Sequence, residues 1–249
     1  MTVDAETLLA IAIVALYLKD SVFLLDANEA LLICRGGVNW FAAYGSRSLK
    51  IGGKEPYLAN PFLPDQAILK LRWKMSPEKI VADTAPGTAA SVPRALVWLG
   101  YVAWALWIEI VILLPTFLLE HRGTSTVLLT ITIAYATIFF CLALVWTWRS
   151  ELGVSGKAFG VLAFECLACA PYAAGIVRKL SALRATKEDF ERAALRHLSG
   201  PQLAHMRGQG VARIDDLLER IEEDDPRIPN YRLARARLSS SESDTPQAG

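Results

Sequence analysis

The chain is poor in the residues that carry most enzymatic chemistry, with three histidines and four cysteines, and its formal net charge is only +1. A balance so close to neutral gives no global electrostatic case for nucleic acid. His121, His197 and His205 are scattered and show no spacing that would hold a metal. Cys34, Cys141, Cys166 and Cys169 are too few and too dispersed for a disulfide framework, and Cys141 lies inside an apolar run, where it reads as a small core hydrophobe. There is no phosphate-binding glycine loop, no G-x-S-x-G elbow and no H-E-x-x-H motif, which removes several common enzyme classes but not all. No cofactor is implied. Basic residues are also missing ahead of the first apolar segment, and no small-residue cleavage site follows it, so it reads as a retained anchor and not as an export signal.

What the chain has instead is apolar length. Hydrophobic residues make up 53% of 249, the balance of a protein that lives in lipid. Ala95 to Leu119 and Thr126 to Trp148 are each long enough to cross a hydrocarbon core of about 30 Å at about 1.5 Å per residue. Only Glu120 to Ser125 separates them, so they are expected to form a tight antiparallel hairpin with tryptophans near its ends. Residues 1–25 read as an N-terminal anchor, although its uninterrupted apolar stretch ends before Lys19 and Asp20. A fourth segment, within 149–180, contains Glu165, Pro171 and two glycines from Ala158 to Val177, and is read as re-entrant, interfacial or spanning.

The polar stretches have patterns of their own. From Gln66 to Lys74 the residues alternate between an apolar set ending at Trp73 and a mainly basic set of Lys70, Arg72 and Lys74, the period of a half-buried strand. Gly36–Gly37 and Gly52–Gly53 offer the positive backbone angles of two-residue hairpin turns. Residues 26–94 are therefore expected to hold a small antiparallel sheet, from about Glu29 to Lys74, and a proline-containing linker from Pro77 to Pro93. Residues 181–238 read as a charged helical module of three helices. The first is signalled by Thr186 and Asp189 and runs to about Leu198, the second spans Gln202 to Arg207, and the third Val211 to Glu223. Residues 239–249 lack apolar content and are expected to be disordered. The expected fold is thus an α-helical integral membrane protein with a small antiparallel β insert and a C-terminal helical cytoplasmic module.

Orientation follows from the basic residues. Nine lie from Asp26 to Arg94 and thirteen after Val177, against one between the hairpin helices and none before Lys19. The positive-inside rule places the insert in the cytoplasm, and the N-terminus and hairpin tip outside. Four full spans would export the basic tail, so three spans with a re-entrant or interfacial fourth segment is the preferred reading. The excess of Arg over Lys and the abundance of Ala fit a bacterial chain, hence the cytoplasmic (inner) membrane.

Few residues are candidates for chemistry. Glu109 interrupts the second span near its middle and reads either as a proton or cation site or as a paired carboxyl that fixes packing. Lys19 lies eleven residues beyond Leu8 and Glu109 ten short of Leu119, about 17 and 15 Å along their helices. The two are expected to pair, with Asp20 as a third member and Glu165 as a further intramembrane polar group. Cys166 and Cys169 form a C-x-x-C, a weak redox candidate. Lys70, Arg72, Lys74, Arg178 and Lys179 are placed to meet anionic headgroups. The leading expectation is a membrane-anchored interaction or assembly protein with a protein partner or self-association. The alternatives are a small oligomeric transporter or channel subunit using Glu109 and Glu165, and a membrane enzyme using the cysteine pair.

Overall fold

The computed structural model describes residues 4–35, 39–73, 93–183, 189–221, 225–226 and 228–240. The Gly36–Gly37 turn, Lys74, nearly all of the linker, Thr186 and residues 241–249 lie outside the described residues. The chain is mostly helical with a small antiparallel sheet.

Helix α1 (Ala5–Asp20) opens where the Asp4 carboxylate accepts the Thr7 amide at 2.7 Å and closes on Ser21. It does not continue to Leu25: Val22–Leu25 is strand β1. Strands β2 (Glu29–Arg35), β3 (Asn39–Ala43), β4 (Glu55–Leu58) and β5 (Ala67–Arg72) follow. They form two sheets, an antiparallel β1–β4 ribbon and a three-stranded antiparallel sheet ordered β3-β2-β5. The Gly52–Gly53 turn forms as its residues demand, with φ of 58° and 79° between the reciprocally bonded Ile51 and Lys54. The central strand β2 is greasy on both faces. Ala30, Leu32 and Cys34 join Leu69 and Leu71 in the main core, whereas Leu31, Ile33 and Ile68 meet Leu25 and Ala59 beneath the ribbon.

Helix α2 (Arg94–Trp107) passes through a π-helical segment (Ile108–Leu113) into α3 (Leu114–Leu119). Pro115 has no amide to return to the preceding turn, and the wider winding just before it accommodates that loss. After a short turn, α4 (Thr124–Thr147) runs back. Along it Thr130, Thr132 and Thr137 donate their hydroxyls to carbonyls four residues earlier, which satisfies polar groups in an otherwise apolar helix. Arg94–Leu119 and Thr124–Thr147 are the two helices among the described residues long and apolar enough to cross a membrane.

The fourth segment folds back on itself. After the short α5 (Arg149–Leu152), α6 (Gly156–Ala168) is capped by Ser155, whose Oγ accepts the Ala158 amide at 3.2 Å. Cys169 and Pro171 end it in a 3-10 turn (Ala170–Gly175), and α7 (Ile176–Leu183) returns. Residues from both ends, Ser155 and Leu183, line one cleft. Helix α6 is about 20 Å long at about 1.5 Å per residue, well short of a hydrocarbon core.

The C-terminal helices depart from the expected pattern. Asp189 is itself the cap of α8 (Phe190–His197), accepting the Glu191 amide at 2.9 Å. The expected second and third helices are one, α9 (Gly200–Arg220), opened by a Ser199/Gln202 capping box. Gly210 does not break it; a Cβ there would come within 2.7 Å of the Trp73 ring, so the glycine permits a close approach. Helix α10 (Ile228–Ser240) was not anticipated, and packs Ala234 and Leu238 on Ile214.

Sheet and tail share one core. Tyr44 donates its hydroxyl to the Met206 carbonyl at 3.1 Å, Arg213 is paired with Glu55, and Trp40 stacks on His197 with ring centroids 4.2 Å apart. Trp73, half-buried, packs against Tyr44 and Phe190.

Candidate functional site

Where α1 ends, its last residues meet the returning fourth segment. The inward face of α1 carries Ala10, Ile13 and Tyr17, one stripe at helical spacing, which brings Asp20 and Ser21 to α7. Arg178 of α7 is 1% exposed. Its Nη1 donates to Ser21 Oγ at 2.9 Å and its Nη2 to Tyr17 Oη at 2.8 Å. Tyr17 passes its own proton to the Pro61 carbonyl at 2.6 Å, and Ser21 to the Tyr17 carbonyl at 3.0 Å. Beside this network Lys179 Nζ lies 3.0 Å from Asp20 and 3.0 Å from Glu165, and sits 4.4 Å from the Tyr172 ring centroid. Gly175 makes the junction possible: a Cβ there would lie 2.5 Å from Asp20 Oδ2. On the far side of α7, Ser181 Oγ accepts the Ile68 amide of β5 at 2.8 Å and donates to the Val177 carbonyl. One short helix thus ties together the N-terminal helix, the fourth segment and the sheet.

A cleft of about 600 Å³ opens over these charges, lined by Asp20, Glu165, Arg178 and Lys179 and walled by apolar side chains of β1, α6 and α7.

The candidates from sequence are spread over several places. Asp20, Glu165, Arg178 and Lys179 come together at this junction. Arg178, expected at headgroups, is buried against two hydroxyls beside the cleft. Glu109 stands apart, its carboxyl 3.3 Å from Thr137 Oγ1, whose single proton is shared with the Ile133 carbonyl. The expected pairing of Lys19 with Glu109 is absent. At about 100° per residue Lys19 points about 200° away from Tyr17, and it is exposed. Depth along the helix was matched, but azimuth was not. Cys166 is buried and Cys169 half-buried, both free thiols at the end of α6 and not at a helix start.

Lys70 and Arg72 are held by Glu29, at 2.7 and 3.1 Å. Burial acts to raise the Glu29 carboxyl, but the Asp26 amide together with Lys70 and Arg72 outweighs it and holds the group below its usual value. Sequence reasoning passed over Tyr17, Ser21, Glu29, Glu55 and Arg213. A lone acid opening a strand across from a basic strand face was the available signal for Glu29. A buried arginine met by uncharged hydroxyls leaves none. No group of His, Cys, Asp and Glu able to hold a metal occurs among the described residues.

Comparison of the chain with protein-family models, with curated proteins and with solved structures finds no match.

Proposed function

We propose that this is an integral membrane protein of three spans and one re-entrant hairpin, which presents a single mixed α/β module to the cytoplasm for assembly with a partner protein. The observation that carries the reading is the shared core of the sheet and the C-terminal helices. Segments on either side of the α2–α4 hairpin pack on one another through Tyr44, Glu55 and Trp73, so both belong on one side of a bilayer. Asp4 lies 3.7 Å from His121, which puts the start of α1 beside the hairpin tip. Helix α1 then crosses once, the hairpin twice, and the α6–α7 segment enters and leaves on the module's side. The two long helices have mean hydropathies of 2.2 and 2.4, yet only 33% and 22% of their apolar windows are buried, unlike core helices of a soluble domain. Basic residues are concentrated in the module, which favours the cytoplasmic side.

Purification from native membranes in mild detergent tests the function. Retention through an alkaline wash, with a foreign subunit at fixed stoichiometry, is the expected result. A self-oligomer that passes ions in liposomes would move the assignment to a transporter, and turnover lost on Cys166→Ala would move it to an enzyme.

A further inference from the structure

The cleft over the α1–α7 junction has a composition that selects a ligand. Three cations line it, Lys157, Arg178 and Lys179, against two carboxylates, Asp20 and Glu165. Both carboxylates lie 3.0 Å from Lys179, and Asp20 is also attracted by the Arg178 guanidinium. Lys157, exposed at the mouth, makes no ion pair among the described residues, and Arg178 donates to hydroxyls and keeps a buried Nε without a hydrogen-bond partner among them. The first turn of α6, from Ser155, lies at the same mouth and turns the positive end of a 13-residue helix to it. The walls are apolar: Phe23, Val161, Leu162 and Leu183. Val161 and Leu183 stand about half exposed, and Phe164 outside them is 73% exposed. The apolar wall therefore continues out of the cleft onto the open face of α6.

From this juxtaposition we infer that the cleft holds one anionic phospholipid, its phosphate at Lys157 and the α6 amino end and the start of an acyl chain along Val161 and Leu183. The inference rests on the proposed membrane arrangement, in which the mouth of the re-entrant hairpin lies at headgroup level. A free phosphate compound shares the head chemistry but leaves the apolar wall unoccupied. A zwitterionic choline lipid shares the tail chemistry but adds a second cation beside Lys157.

Native mass spectrometry of the full chain in a neutral detergent tests it, with phosphatidylglycerol, phosphatidylcholine and glycerol phosphate added in turn. One phosphatidylglycerol per chain is expected, retained about tenfold better than phosphatidylcholine, with glycerol phosphate unable to displace it. Lys157→Glu should remove that preference, and Val161→Trp should lower retention of phosphatidylglycerol by filling the wall. Lys50→Glu, an exposed change on the module, should leave binding as it was. Equal retention of the two lipids, displacement by glycerol phosphate, or indifference to both cleft variants would overturn the assignment. An alkaline wash of the same membranes keeps the two claims apart. A chain that stays in the membrane but does not select phosphatidylglycerol loses only the cleft assignment, and a chain that washes off loses the membrane arrangement too.

Discussion

Two apolar regions of this chain, the α2–α4 hairpin and the α6–α7 segment, behave differently. The α2–α4 hairpin keeps long uninterrupted helices with exposed apolar faces, and its one interior carboxylate, Glu109, has only a threonine hydroxyl for company. The segment from Gly156 to Leu183 breaks at Cys169–Pro171, turns on six residues and returns, and its Arg178, Lys179 and Ser181 are tied to α1 and the sheet. The difference lies in where polar side chains find partners: a backbone can leave the helical path inside an apolar layer only if the groups it frees are satisfied by protein.

The comparison breaks most sharply at Arg178. Arg178→Ala should leave the Ser21 and Tyr17 oxygens without their donor, remove the clamp between α1 and α7, and lower stability in detergent by about 3 kcal/mol, read from a denaturation midpoint. Next is Gly175→Ala, whose new Cβ would meet Asp20 Oδ2 at 2.5 Å; the cost should be about 2 kcal/mol, and an equivalent change at Gly160, where nothing lies within 4 Å, should be nearly silent. A smaller effect belongs to Glu29. Its folded carboxyl is held below the ordinary 4.5, so its stabilisation is complete above that pH and is lost as pH falls through the folded value. Glu29→Gln should cost about 1 kcal/mol at neutral pH, because its cations are partly exposed, and should flatten the acid limb of the stability profile. The smallest effect should come from the hairpin: Glu109→Leu should change stability by less than about 1 kcal/mol in either direction.

How much of this was readable beforehand depends on the length scale of the signal. The hairpin, the β5 alternation and the Gly52–Gly53 turn were legible because each is written in neighbouring residues. The α6–α7 turn was only half legible. Pro171 and Glu165 marked the segment as weak, but what holds it, Arg178 on Ser21 and Tyr17, joins residues about 160 positions apart. The same gap explains the misplaced Lys19. Counting rise along two helices gave its level, while the direction of its side chain is set by the Ala10, Ile13 and Tyr17 stripe that packs inward. The helices expected over Gln202–Arg207 and Val211–Glu223 are one, and the Trp73 ring packed beside Gly210 between them is a contact that neighbouring residues do not reveal.

In the proposed arrangement the sheet and the C-terminal helices form one module on one side of the membrane, opposite the hairpin tip. In a cysteine-free background, single cysteines at Ser48, Ser125 and Ser239 can be offered to an impermeant thiol reagent in intact cells. The account predicts labelling at Ser125 alone, with Ser48 and Ser239 reached only after permeabilisation. Labelling of Ser239 together with Ser125 in intact cells, with Ser48 protected, would mean that the fourth segment crosses fully and would contradict it.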